Sequence, residues 1–306
     1  FEQARNFCNK LWNASRFSLI NLENYEAAEV ADDQLAVEDR WLLSRLSTVT
    51  QQVTASLESY HFADAARALY DFAWDDFCSL YVEISKPRMQ DELTRPIVQR
   101  VLAHALDTLL RLLHPMVPYI TEEVWQLLGQ VAPQRGLRDI ETAAESIMIA
   151  TWPVADQARQ DVEIENRFAK FQATLGAIRE IRSRQNIKNH EQIEFCVRCD
   201  EEIARLVRPM EPYLGSMAKA TSTGWGPDVS PPATNAMINS GGMEIFVDLK
   251  DFIDVEAELA RNVKEEKRLA GQIQGIEKKL GNANFVDRAP ADVVQAERDK
   301  LTVLQD

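Results

Sequence analysis

The sequence predicts a mostly α protein: an antiparallel helical bundle, a small α+β subdomain and a C-terminal antiparallel coiled-coil hairpin. Three observations carry this. Residues 1 to about 130 hold successive apolar stripes that step by three and four. Two segments after residue 190 alternate apolar and polar positions, as strands do. From Leu259 to Leu280 a heptad seam repeats, and a second arm follows a break. The expected domains are 1–145, the bundle; 146–250, the α+β subdomain; and 251–306, the hairpin.

The first helix runs through Phe7, Leu11 and Ala14, which share one side with Ala4. Asn9, Lys10, Asn13, Arg16 and Phe17 share the other. The second stripe is Leu42, Leu46, Val49, Val53, Leu57 and Tyr60. The third is Phe62, Ala66, Leu69, Ala73, Phe77, Leu80 and Ile84, which Pro87 is expected to end. The fourth is Val98, Leu102, Ala105, Leu109 and Leu113, closed by His114-Pro115. Thr121 is expected to cap a fifth helix that buries Val124, Leu127 and Leu128 and stops at Gly129. Short links between such stripes make an antiparallel bundle.

In the middle, Ile147-Met148-Ile149 reads as a short strand, and 161–185 returns to helical spacing through Ile164, Phe168, Phe171, Leu175, Ile178 and Ile181. Ile193–Cys199 and Met243–Leu249 read as strands, with a loop-rich tract of Gly224, Gly226, Pro227, Pro231 and Pro232 between them. In the tail, Leu259, Asn262, Glu266, Leu269, Ile273, Ile276 and Leu280 form the seam. Gly281-Asn282-Ala283-Asn284 breaks it. A second helix is expected from Pro290, with Val294, Glu297, Leu301 and Leu304 resuming the rhythm.

The chain has 306 residues, 45% hydrophobic and 27% charged, with net charge −14. It has the composition of a protein with a real core. No apolar run reaches a membrane span, and no signal-peptide pattern opens the chain. The start at Phe1 suggests a piece of something longer. Four cysteines suit a reducing cytoplasm. An acidic chain does not coat nucleic acid indiscriminately, so contact with a polyanion must use local patches. Arg167–His190 holds six cations, Arg167, Lys170, Arg179, Arg182, Arg184 and Lys188, against Glu180. Arg261–Lys279 holds another six, with Arg261, Lys264, Lys267, Arg268, Lys278 and Lys279 against three glutamates. A solvated helix face is the plain reading of either run.

Motifs for catalysis are missing from the sequence: no Gly-rich phosphate loop, no His-Glu-x-x-His, no Gly-x-Ser-x-Gly. The four histidines have no metal-ligand spacing, and His104 reads as a packed residue. Cys196-Val197-Arg198-Cys199 has one Cys-x-x-Cys but no second pair, so no metal is expected. The polar face of the first helix is the most suggestive surface. Amides meet base edges, cations meet phosphate and rings stack on unpaired bases.

Asn9–Phe17 resembles the start of the anticodon-binding bundle of class I aminoacyl-tRNA synthetases with branched aliphatic substrates. Asp39-Arg40-Trp41-Leu42-Leu43-Ser44-Arg45-Leu46 is similar to that bundle's second helix, and His114–Trp125 to its closing signature. Asn284-Phe285-Val286-Asp287-Arg288-Ala289-Pro290, between two heptad arms, resembles the C-terminal coiled coil of the bacterial valyl-tRNA synthetase family. The resemblance covers essentially the whole chain.

It implies an anticodon-binding role for Lys10, Asn13, Arg16 and Phe17, with Arg40, Trp41 and Arg45 behind them. Trp12 and Trp41 fit bundle core equally well. Arg179, Arg182, Arg184 and Lys188, with Arg261, Lys264, Arg268, Lys278 and Lys279, become candidates for the tRNA backbone and its outer corner. The implied partner is tRNA(Val), the implied assembly a monomer in the cytoplasm. No catalytic residue and no cofactor is expected in these residues. ATP and Mg would belong to a catalytic domain carrying the family's two nucleotide-binding motifs, neither of which occurs here. The alternatives are a sister synthetase of the same class, isoleucyl or leucyl, and a coiled-coil protein-interaction module.

Overall fold

The computed structural model describes residues 2–252, 255–281 and 295. Its first part is a helical bundle. Helix α1 (Glu2–Asn21) buries Phe7, Leu11 and Ala14, together with Ser15 and Ser18. Ala4 is exposed, so the apolar stripe begins one turn later than its spacing implied. Helix α2 (Val37–Glu58) starts where Asp39 accepts the Ala36 amide at 3.0 Å, which satisfies a donor that the helix end would otherwise leave bare.

The third stripe is one continuous helical run in three parts. Helix α3 (Phe62–Asp71) passes into a π-helical segment, Phe72–Tyr81, and then into α4 (Val82–Met89). Pro87 does not end the run. It lies in the last turn of α4, where a missing N–H costs one bond and the helix stops two residues later. Helix α5 (Arg95–Leu113) is the central element and is buried along most of its length. Helix α6 (Pro118–Val131) begins with a proline at its first position. Thr121 is therefore not its cap. It sits one turn inside, donating to the Val117 and Pro118 carbonyls at 3.0 and 3.1 Å. The helix also runs through Gly129 to Val131.

Between the bundle and the next long helix lies a short hairpin, β1 (Gln134–Arg135) and β2 (Glu141–Thr142). Ile147–Ile149 is a 3₁₀ turn rather than a strand. Ser146 Oγ accepts the Met148 amide at 3.2 Å, and only Ile147 is buried. Short apolar runs do not distinguish the two states by pattern.

Helix α7 (Val162–Arg184) is capped by Asp161, whose carboxylate accepts the Ile164 amide at 3.0 Å. It lies between the bundle and a four-stranded sheet of order β4-β3-β6-β5. The expected strands are β3 (Ile193–Arg198) and β6 (Met243–Asp248). The tract read as loops contains four further elements: α8 (Glu201–Val207), α9 (Glu211–Ala218), β4 (Ala220–Gly226) and β5 (Asn235–Ser240). β4 pairs parallel with β3 across the α8–α9 connection, and β6 pairs antiparallel with β3 and β5. β5 enters β6 through Gly241 and Gly242 at φ +61° and +77°, a left-handed turn that favours glycine. β4 and β5 are edge strands with mostly polar residues, so alternation was too weak to reveal them.

The cores of the bundle and the sheet are one. Trp41 of α2 stacks on Phe168 of α7 with centroids 4.5 Å apart and planes 9° from parallel, inside a single cluster of buried residues. Helix α10 (Val255–Leu280) carries the first arm of the tail, with Ile276 buried. The second arm expected from Pro290, with Val294, Glu297, Leu301 and Leu304, lies outside the described residues. No described helix is long and apolar enough to cross a membrane.

His104, on α5, is largely buried, and burial pushes its imidazole pKa down to about 4. Asp107, Arg111, Asp156 and Arg159 set the remaining field around it. An unfolded histidine takes its proton near pH 6.5. Between about pH 6.5 and 4 the unfolded chain therefore binds a proton that the folded chain refuses. Stability is full above that window and falls as the pH drops through it. His104→Gln is expected to flatten the fall. Melting temperatures of both proteins at pH 7 and pH 5 check this, and equal losses in the two would contradict it.

Candidate nucleic-acid interface

The polar face of α1 divides in two once the fold is made. Asn9, Asn13 and Arg16 remain exposed. Lys10 and Phe17 are half-buried against the run from α3 to α4. The Lys10 ammonium lies 3.9 Å from the centre of the Trp74 ring and donates to Ser79 Oγ. Ser79 Oγ in turn donates to the Trp74 carbonyl at 2.6 Å. Trp74 and Ser79 both belong to the π-helical segment, whose i→i+5 winding is rare and often found at functional sites. Burial pushes the Lys10 pKa down, while Cys78 and Asp75 pull it back up. A ring face and a hydroxyl thus hold this cation in one place.

The same wall carries an aromatic ladder. Phe7 stacks on Tyr70 at 5.2 Å, and Tyr70 on Trp74 at 5.6 Å. Further along, the Lys86 ammonium sits 5.6 Å from the Phe17 ring and is held by Glu83 at 2.7 Å. Arg179 of α7 is exposed and lies within electrostatic range of both Lys10 and Glu83. Cations from α1, α4 and α7 therefore meet along one face. Trp74, Lys86 and the pairing of Arg179 with Lys10 escaped the sequence reading. Partners 64 and 169 positions apart leave no local pattern.

Other candidates fall elsewhere. Trp41 is 1% exposed and belongs to the core, so it is not an RNA-facing residue; Trp12, at 39% exposure, is the outward tryptophan. Arg45 faces α7 and the π-helical segment, bonded to Asp76 at 3.0 Å and Glu165 at 3.1 Å. Its role is to neutralise two poorly solvated carboxylates, not to meet a phosphate. Burial drives the Asp76 pKa upward, and Arg45 opposes it. Arg40 is exposed and 3.6 Å from Asp161.

Arg182 is 4% exposed and gives its fork to the carbonyls of Lys188, Glu191 and Lys219, closing the loop after α7. It is structural, and its place in a surface patch is corrected. Arg184, paired with Glu180, and Lys188 are exposed. On α10, Arg268, Lys278 and Lys279 are exposed. Arg261 and Lys264 are on the same helix, but their side chains lie outside the described residues. Cys196 and Cys199 are buried free thiols with pKa values raised by burial. Among the described residues no group of His, Cys, Asp and Glu is arranged to hold a metal.

A helical bundle backed by a small mixed sheet thus presents fixed cations and aromatic rings beside exposed amides on one face. Residues 39–197 match the family described as the anticodon-binding domain of tRNA ligase, and the chain belongs to that family. The match crosses from bundle to subdomain through α7. Residues 254–306 match the valyl tRNA synthetase tRNA binding arm. The chain is 50% identical over 307 residues to the valine--tRNA ligase of Rhodopirellula baltica, covering 100% of this chain and 30% of the relative. It is 37% identical over 301 residues to that of Carboxydothermus hydrogenoformans, covering 98% and 33%. It is 33% identical over 306 residues to that of Bacillus subtilis, covering 98% and 33%. The chain thus spans about a third of the curated valine--tRNA ligases it matches, in their C-terminal part. Helix α1 precedes the domain match and is covered by the whole-chain relatives.

Proposed function

We propose that this chain is the tRNA-holding part of a valine--tRNA ligase. It grips the anticodon stem-loop of tRNA(Val) on the α1 face and the outer corner of the tRNA with the tail. Attachment of valine with ATP and Mg takes place in the two thirds of such proteins that this chain does not span. The protein acts in the cytoplasm as a monomer. The observation that carries the reading is the fixed Lys10 beside exposed Asn13 and Arg16, on a chain whose tail matches the valyl arm.

The geometry supports the following roles. Lys10, held over Trp74, is a positioned charge for phosphate. Arg16 reaches phosphate or a base edge, and Asn13 offers both a donor and an acceptor to a base. Phe17 presents only part of its ring for stacking. Arg179 and Lys86 extend the positive face toward the stem. Arg268, Lys278 and Lys279 on α10 meet backbone phosphates, where each contact adds to the salt dependence.

The test is titration of a tRNA(Val) anticodon stem-loop at fixed salt. The pair Asn13→Ala, Arg16→Ala is expected to weaken binding roughly tenfold or more, since a good base contact is worth about 1–3 kcal/mol. Unchanged affinity would overturn the assignment of this face. Tighter binding of the isoleucine transcript than of the valine transcript would favour a sister specificity.

A further inference from the structure

Building on the tRNA-holding role above, we propose that Lys10 of α1 and Arg179 of α7 bind one and the same backbone phosphate of the anticodon stem-loop. The helix that joins bundle to sheet would then complete a site begun on α1. Arg179 belongs on this reading to the anticodon end, not to the outer corner of the tRNA. The two cations meet over one short stretch of the helical run from α3 to α4. Lys10 donates to Ser79 Oγ there, with its ammonium 3.9 Å from the centre of the Trp74 ring. Arg179 comes within the field of Glu83, four residues further along the same run. Positions four apart on a helix are about 5–6 Å from each other. A phosphate between cations at that spacing can accept from each at about 2.7–2.9 Å through its two outer oxygens.

Neither charge is answered within the protein. The other cations of α2, α4 and α7 near this face are spent: Arg45 on Asp76 and Glu165, Lys86 on Glu83, Arg88 on Glu38 and Asp39, Arg184 on Glu180. Among the described residues, Lys10 and Arg179 have no carboxylate within ion-pair distance. Arg179 is exposed and makes one long contact, from Nη2 to the Met217 carbonyl of α9 at 3.5 Å. A guanidinium has five N–H donors and an ammonium three, so both keep donors for a ligand.

The charge count fits one phosphodiester. Lys86 and Glu83, 2.7 Å apart, cancel each other. The Cys78 thiol, pushed up to about 12 by burial, is neutral at pH 7. Asp75 is the remaining anion that acts on Lys10, and it is exposed. Two cations against one carboxylate leave a single positive charge, the complement of a single backbone phosphate. Burial lowers the Lys10 pKa, and the Arg179 charge lowers it further. Like charges held this close repel in the empty site, and an anion between them turns that repulsion into attraction.

The experiment titrates the intact protein with tRNA(Val) anticodon stem-loops that each carry one uncharged methylphosphonate in place of a phosphate. One position is expected to weaken binding about tenfold or more, as loss of a charge-assisted hydrogen bond does. Lys10→Met and Arg179→Met are each expected to lose sensitivity to that position and to no other. The double variant should bind at most about twofold more weakly than the weaker single one. The slope of log affinity against log salt should fall by about one in either variant and by no more in the double variant, since one phosphate is involved throughout. Arg205→Met, on α8, keeps the sensitivity. Different positions lost in the two variants, or unchanged binding in Arg179→Met, overturn the shared phosphate. In that case a loss of affinity in the Asn13→Ala, Arg16→Ala pair still leaves the tRNA-holding role standing, whereas a stem-loop that fails to bind overturns both. Should Lys10→Met fail to fold, Lys10→Gln takes its place, since its amide can still donate to Ser79.

Discussion

Replacing Arg88 with alanine is expected to cost about 3–5 kcal/mol, the usual penalty for removing one partner of a buried ion pair. Arg88 lies in the last turn of α4 and makes a two-pronged contact with Asp39, Nη1 to Oδ1 and Nη2 to Oδ2, both at 2.8 Å. Asp39 is 0% exposed. It also accepts the Tyr81 hydroxyl at 2.8 Å and the Ala36 amide at 3.0 Å. Glu38, likewise buried, takes Arg88 Nη1 at 3.1 Å. Without the guanidinium, two carboxylates stay buried with no counter-charge.

The network ties the start of α2 to the end of α4, and its reach extends to α9. Tyr213 of that helix has its pKa raised to about 12, first by burial and then by Glu38. For a domain of this size the midpoint of thermal unfolding should fall by about 6–20 °C. Arg88→Lys keeps the charge but loses the fork, and should lie between. Adding Asp39→Asn to the alanine variant should recover part of the loss, because the stranded charge is then gone. A fall of less than about 1 kcal/mol in Arg88→Ala would show that water reaches Asp39 and that the network is not buried.

Trp41→Ala is expected to be as damaging, about 3–5 kcal/mol for a large aromatic removed from a core. Trp41 fills the seam between α2 and α7, flat against Phe168, and Phe168 meets Phe171 edge-on at 6.4 Å. Its loss would open a cavity where bundle and sheet share a core. Binding of the anticodon stem-loop at low temperature, where the variant remains folded, should change by less than about threefold. That pairing of outcomes separates a core tryptophan from an RNA-stacking one. A stable Trp41→Ala protein that binds RNA ten times more weakly would restore the surface role its sequence context implied.

Much of the fold was legible because helices announce themselves locally. The stripes of α1, α2, α5 and α7 rest on spacings of three and four, and each element lies close to where that spacing put it. β3 and β6 showed because both carry a dense apolar run, buried at four of six positions in each. β4 and β5 did not, since edge strands owe their state to hydrogen bonds with a neighbour rather than to a periodic core side. The misread ends have similar causes. Pro118 outranks Thr121 as a helix start because a proline at the first position loses no bond, whereas Pro87 is tolerated in a final turn.

The candidate interface was legible in kind and only partly in detail. Asn13 and Arg16 face outward as the helical wheel requires, because an angle around one helix is a local quantity. Lys10 and Phe17 are at the edge of that face, and whether they meet solvent depends on what packs beside α1. Arg45, Trp41 and Arg182 were credited to an RNA surface because cations and rings look alike in a sequence whether buried or not.

The sequence by itself determined that this is a chain of amphipathic helices with a polar first face, a small strand-bearing insert and a heptad tail, since each property repeats within one element. The tertiary structure alone decided which charges are available. Arg45 and Arg88 are consumed by carboxylates far away in sequence, Arg182 by carbonyls of the loop that follows it and of Lys219, Lys10 is fixed by Trp74 and Ser79, and Arg179 approaches it from α7. Burial and pairing depend on neighbours dozens of residues away. The cost of an unpaired buried charge, not the identity of the residue, then sorts the cations that hold the fold from those left to hold a ligand.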